Sequence, residues 1–157
     1  MVTVDIKCAF LKAKLPENME LMVKMTGEHA ELMCEINPDL RRDDQGIIYL
    51  RSVKALYGHI EAVRLFFNDL DNTIQEKMGF TQNQYDPCVY NKGDGDEKVT
   101  IQVHVDDLKN SPCSKNQIER VIEQLRAVYN EITVHHREEH DYLGMTLIYI
   151  PEKKTIF

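Results

Sequence analysis

The sequence predicts an α+β fold in which an antiparallel sheet carries its helices on one face. Short runs alternate apolar with polar residues, two long stretches carry apolar residues at three- and four-residue spacing, and the two kinds of segment do not alternate as regular βαβ units would. The 157 residues amount to about one domain. With 43% hydrophobic residues, 29% charged, 7 Gly and 5 Pro, collagen-like, low-complexity and disordered classes are excluded.

Val2 to Lys7 alternates, with Val2, Val4 and Ile6 on one face and Thr3, Asp5 and Lys7 on the other, so a strand is expected with Asp5 pointing away from the core. After Pro16 a second alternation (Met19, Leu21, Val23, Met25) reads as a strand. Glu28 to Ile36 then reads as a short helix stopped by Asn37-Pro38. Arg41 to Gly46 is a polar, solvated loop, and Ile47 to Leu50 a short strand. From Glu61 to Met78 the apolar residues Val63, Phe67, Leu70, Ile74 and Met78 follow helical spacing, and Gly79 stands where a helix-ending glycine belongs. Cys88-Val89-Tyr90 and Val99 to Val105 are strands on either side of a Gly93-Asp94-Gly95-Asp96 turn. A second long helix starts at Ser114, with Gln117 three residues on in a capping-box pattern, and turns Ile118, Val121, Ile122, Leu125 and Val128 inward. Ile132 to Val134 and Tyr142 to Ile150 are strands. Lys154 to Phe157, after a Pro151-Glu152-Lys153 turn, reads as the start of another, so both ends look cut from something larger.

The balance of 19 Lys+Arg against 26 Asp+Glu, net −7, excludes a stand-alone nucleic-acid coat held by phosphate neutralisation. Any nucleic-acid role must use few contacts, metal ions or basic parts outside this chain. Cys8, Cys34, Cys88 and Cys113 make no Cys-x-x-Cys pair and read as reduced, mostly buried thiols. No run approaches the ~18 apolar residues of a membrane span and no signal peptide opens the chain, so an intracellular protein with no membrane partner is expected. Met19, Met22, Met25 and Met33 read as core gap-fillers, and Tyr85 and Tyr90 as packing residues. His135, His136 and His140 read as solvated loop histidines rather than zinc ligands.

The chemistry sits in the carboxylates. The strand from Val99 sets Val99, Ile101, Val103 and Val105 on the core face and Thr100, Gln102 and His104 on the open one, which Asp106 would join. Strands disfavour adjacent acids, so Asp106-Asp107 is either a tight turn or a site. Asp5 is a third acid on the open face of another apolar strand. If the two strands are neighbours, three carboxylates converge, as two divalent ions about 3.5–4 Å apart require.

Five segments in order resemble the motifs of copia-type retrotransposon reverse transcriptases. Val4-Asp5-Ile6-Lys7-Cys8-Ala9-Phe10-Leu11 is similar to the first catalytic motif, an Asp followed four residues later by Ala-Phe, and His104-Val105-Asp106-Asp107 to the Tyr-Val-Asp-Asp box. Ala55 to Arg64 resembles the Ser-Leu-Tyr-Gly-Leu-Lys-Gln-Ala-Pro-Arg segment, Tyr85 to Tyr90 the run before the two-aspartate strand, and Asp141 to Met145 the Leu-Gly strand. The set spans residues 2 to 150. Departures fall at His104 for the aromatic, Ile60-Glu61 for Lys-Gln, Val63 for Pro and Phe66 for Trp; residues 26 to 50 look like an insertion.

The resemblance implies a single palm domain over 1–157 with a ferredoxin-like core, its fingers mostly missing and its connection and ribonuclease H absent. It implies RNA-directed DNA polymerase activity, weak at most in the isolated chain, on an RNA or DNA template with primer and deoxynucleoside triphosphates. Integrase and ribonuclease H would be its polyprotein partners, and a cytoplasmic particle or the nucleus its place. By matching position, Asp5, Asp106 and Asp107 would hold two Mg2+ ions, with Mn2+ as the alternative. Ile6 (through its backbone carbonyl), Phe10, Tyr57, Gly58 and Glu61 would face the nucleotide, and His104, Val105, Leu143 and Gly144 the primer. The competing readings are a non-catalytic transposon-derived remnant or interaction module, and another palm-type nucleotidyl transferase or cyclase.

Overall fold

The computed structural model describes residues 1–111, 114–136, 139–150 and 155–156. Its main sheet is built from β1 (Val2–Ile6), β4 (Thr81–Gln82), β5 (Val89–Lys92), β6 (Val99–His104), β7 (Asp107–Ser111) and β8 (Ile132–His135). All are paired antiparallel, in the order β4-β5-β6-β7-β1-β8. A two-stranded hairpin, β2 (Met22–Met25) with β3 (Ile48–Arg51), brackets helix α1 (Glu28–Ile36). A three-stranded sheet follows β8: β9 (Glu139–Tyr142), β10 (Met145–Ile150) and β11 (Thr155–Ile156).

Helices α2 (Ala62–Asn72) and α3 (Lys115–Tyr129) cover one face of the main sheet. Phe66, Leu70, Ile74 and Met78 share one buried cluster with Ile118, Val121, Ile122, Leu125 and Tyr129 and with the sheet residues Val4, Ile6, Ile101, Val103 and Leu108. The inward stripe of α2 therefore starts at Ala62 and Phe66. Val63 is exposed and Phe67 only half-buried, one position off the expected line. Beyond Asn72 the helix loosens into a π turn over Thr73–Lys77, where the Met78 N–H reaches back five residues to Thr73 (3.1 Å), and Gly79 ends it at φ +70°. Helix α3 begins on the expected capping box, with the Ser114 side chain accepting from the Gln117 N–H and the Gln117 side chain from the Ser114 N–H.

Two buried tyrosines tie α3 and β5 to α2. The Tyr129 hydroxyl donates to Asp69 (3.0 Å) beside Thr73 (3.4 Å), and the Tyr90 hydroxyl to Asp71 (2.7 Å). Burial, with the neighbouring carboxylates, pushes both phenols far above their ordinary range, so each stays an O–H donor. Tyr129→Phe removes a donor to a charged acceptor next to the fully buried Thr73 and is expected to cost about 1–3 kcal/mol, read as a lower urea midpoint at unchanged slope.

Several expectations are corrected. Val105 leaves the strand: β6 ends at His104, and Val105-Asp106 form a two-residue turn with Val105 at φ +55°, half-exposed rather than on the core face. Tyr142 to Ile150 is not one strand but a hairpin, because Leu143 (φ +55°) and Gly144 (φ +70°) form a tight turn with Tyr142 opposite Met145. That hairpin packs against the sheet face expected to be free: His140 is buried and its Nδ1 lies 3.0 Å from the Thr3 hydroxyl, so it is no solvated loop residue. Cys8 is exposed and Cys34 and Cys88 half-buried, not core thiols; all three are free. Met22 is exposed and Met19, ahead of β2, Met25 and Met33 are half-buried, outside the main core; the strand expected from Met19 starts only at Met22. Tyr90 packs as expected, but Tyr85 is 96% exposed. Cys113, residues 151–154 and Phe157 lie outside the described residues. Among those described, no helix is long and apolar enough to cross a membrane.

Candidate active site

The two strands that carry the acids are neighbours. Strands β1 and β7 pair with Asp5 opposite Asp107, and the Ile6 N–H donates to the Asp106 carbonyl (3.1 Å) just beyond that pair. A bond from the following residue of one strand to the preceding residue of the other marks a non-hydrogen-bonded pair, the closer kind, with Cα atoms about 4.5 Å apart and side chains on the same face. Asp5 and Asp107 thus stand directly opposite each other, on the face away from α2 and α3. Asp106 is presented from the adjoining turn.

That turn is strained. Only Val105, its first central residue, has positive φ, a pattern that favours glycine; a β-branched side chain there costs on the order of 1–3 kcal/mol. The β6–β7 and β1–β7 pairings hold the turn against that strain and set Asp106 at the end of the hairpin, one residue from the β1 pairing.

The electrostatics report the crowding. Burial, then the charges of Asp106 and Asp5, raise the Asp107 carboxyl above its ordinary range, opposed by His104, which faces Asp107 across β6 and β7, and by His135. Asp5, Asp106 and Asp107 make no ion pair with Lys or Arg among the described residues. The Tyr57 phenol is raised by desolvation and then by the charges of Cys8, Asp106 and Asp5. Its ring lies 5.0 Å from Phe10, and Phe10 lies 6.2 Å from Phe66 in the core. Phe10 sits in the short 3-10 turn Ala9–Leu11 that follows β1, entered through Cys8 at φ +54°. The Tyr142 phenol is raised by desolvation and then by the charges of Asp107, Cys88 and Asp86.

A raised carboxyl has a signed consequence for stability. The folded chain holds the Asp107 proton more tightly than the unfolded chain, so this contribution is fully present below the ordinary value of 3.8 and is lost as pH rises through the folded value. Asp107→Asn is expected to match the parent in melting temperature below that pH and to exceed it at neutral pH by about 1–3 °C. That corresponds to roughly 0.2–1 kcal/mol for like charges facing across strands, discounted for exposure.

Of the residues singled out from the sequence, the structure gathers Asp5, Asp106, Asp107, Tyr57, Phe10 and His104. Val105 and the Leu143-Gly144 turn are the tips of the two hairpins, the second adjoining Tyr142. Ile6 is buried, so only its main chain could serve the site, and its N–H is already given to Asp106. Gly58 (φ +86°) forms the exposed turn after Tyr57. Glu61 stands at the start of α2, paired with Arg64 at 2.5 Å. Cys8, Tyr142 and His135 were not anticipated here. Only the positive φ at Cys8 and the long-range return of the β9–β10 hairpin bring the first two in, and neither leaves a local signal.

The described residues contain no ready cage of three or more His, Cys, Asp or Glu ligands. Mg2+ does not need one, since it is usually held by one or two carboxylates with water and substrate phosphate completing the shell. A facing, unneutralised carboxylate pair with a third acid at its end is a donor set that fits a divalent cation.

No curated protein matches the chain. The family model described as reverse transcriptase (RNA-dependent DNA polymerase) matches residues 1–156, nearly the whole sequence. With the six-stranded antiparallel sheet and the acids at its β1–β7 junction, this establishes that the chain belongs to the reverse transcriptase family.

Proposed function

We propose that the chain is the palm of a copia-type retrotransposon polymerase, adding deoxynucleotides to a primer 3′ end on an RNA or DNA template. The observation that carries this reading is the pairing of Asp5 with Asp107 in the close register, with Asp106 beside them and no basic neutraliser among the described residues. Asp5, Asp106 and Asp107 are the residues that would hold two divalent ions, Mg2+ or Mn2+. Such ions supply an activated primer oxygen and charge stabilisation on the departing phosphate.

The chain's own residues position the reactants. Phe10, tilted against Tyr57 and edge-on to Phe66, offers an aromatic floor for a nucleotide sugar. Gly58 leaves the surface after Tyr57 free of a side chain. Glu61, its charge offset by Arg64, borders the nucleotide without presenting a bare carboxylate to the triphosphate. His104, Val105 and the Leu143-Gly144 turn line the primer side, and the Ile6 main chain adjoins Asp106. The unit spans 1–157 and works with basic parts supplied by other regions of an integrase- and ribonuclease H-bearing polyprotein, in a cytoplasmic particle or the nucleus. Its acidic balance suits that dependence and makes the isolated chain weakly active at most.

Thermal melting with MgCl2 or MnCl2 tests the cation reading without demanding activity. Binding to the folded form alone is expected to raise the melting temperature of the parent, by about 2.7 kcal/mol of stability at a hundred times the dissociation constant, and to leave Asp5→Asn and Asp106→Asn unmoved. Equal shifts in all three proteins would favour the non-catalytic remnant.

A further inference from the structure

Residues 22 to 51, to which polymerase chemistry assigns no part, form their own satellite of β2, α1 and β3. Ala30 and Ile48 are buried there but stand outside the main core. Helix α1 is nine residues long and buries Ala30 alone; its N-cap is Gly27, which makes no side-chain cap, and no basic residue sits in its last turn. Isolated helices shorter than about 12–15 residues are marginal in water, so a helix this short and this little buried depends on packing for its stability. Yet its outward stripe holds Leu32 and Ile36, one turn apart and 55% and 76% exposed. Glu28 precedes Leu32 by one turn, Glu31 and Glu35 run with it along one side of the pair, and the exposed His29 lies on the other. Only Glu31 has an ion-pair partner among the described residues, Arg42 at 3.3 Å.

We propose that this face of α1 docks a basic amphipathic polypeptide segment, one that sets leucine-like side chains on Leu32 and Ile36 and lysines or arginines against Glu28 and Glu35. Charge decides the class of partner. Nucleic acid and anionic lipid meet three carboxylates with their own phosphates, and a second copy meets them with the same three on a chain of net charge −7. A cationic partner with an apolar stripe gains on both counts, laying anchors at helical spacing along the exposed face. The inference stands apart from the polymerase reading, since none of these residues belongs to the acid site.

The test uses the full chain and a short labelled peptide of leucine and lysine at helical spacing, with its composition-matched scramble and a leucine–glutamate counterpart, followed by fluorescence anisotropy. The amphipathic lysine peptide is expected to bind more tightly than its scramble, to weaken with salt, and to protect amides of residues 28–36 from exchange. Leu32→Ser with Ile36→Ser should weaken it roughly tenfold or more. Glu28→Lys with Glu35→Lys should turn the preference toward the glutamate peptide. Equal binding of the scramble, an unchanged preference after charge reversal, protection elsewhere, or self-association or nucleic-acid binding through 28–36 would each overturn the proposal.

Discussion

Asp106→Asn is expected to lower deoxynucleotide incorporation by roughly 10²–10⁴-fold, measured as single-nucleotide primer extension with the chain in its full polyprotein. The substitution keeps the size and shape of the side chain and its place in the Val105-Asp106 turn, and removes one negative charge from a cluster of three. In the two-metal reading that charge holds a cation, and a bound metal is worth several kcal/mol of transition-state stabilisation, at about 1.4 kcal/mol for each factor of ten. In the folded protein without cations the same charge is a burden, because Asp106 raises the Asp107 carboxyl. Loss of activity should therefore come with a melting temperature equal to or above the parent's, which separates it from unfolding. Parent and variant equally inactive in the intact polyprotein would point to the remnant. Equal and substantial activity would remove Asp106 from the metal site.

How far the sequence alone reaches follows from which interactions are local. Strand β1, helix α1 over Glu28–Ile36 and the capping box of α3 are legible because alternation, a stop at Asn37-Pro38 and the Ser114–Gln117 reciprocity each lie within a few residues. Asp5 beside Asp106-Asp107 was legible as a possibility, and the β1–β7 pairing turns it into a register. The misses are of another kind. The α2 stripe could be drawn through Phe66 or Phe67, and packing against Tyr129, 6.1 Å ring to ring from Phe66, decides between them. Val105 and Leu143 adopt the left-handed region that their residue types disfavour, so no turn signal marks either hairpin tip in full. His140 is drawn into the interior by Thr3, 137 positions away, a contact that no window of sequence contains. Site residues are thus where local preference is overridden, the turn bearing Asp106 above all.

Asn110→Leu is expected to stabilise the fold by about 1–3 kcal/mol, raising the melting temperature by roughly 3–10 °C. Alternation along β7 turns Leu108 and Asn110 to the helix-covered face and Asp107 and Lys109 to the other. Asn110 faces Val2 on one side and Ile101 on the other. It is fully buried between these two apolar strands, and neither its amide nitrogen nor its oxygen has a hydrogen-bond partner among the described residues. A desolvated, unsatisfied amide is costly, whereas leucine repeats its branching with carbon atoms and adds apolar burial. Asn91 provides the contrast: its oxygen accepts from the Thr100 hydroxyl at 2.9 Å, so Asn91→Leu gives up a bond and should bring no such gain. A melting temperature for Asn110→Leu at or below the parent's would mean that the amide is satisfied in solution, by a water molecule lodged under α3 or by a shift of β7. Because β7 begins at Asp107, a shift of that strand would carry one of the three acids with it.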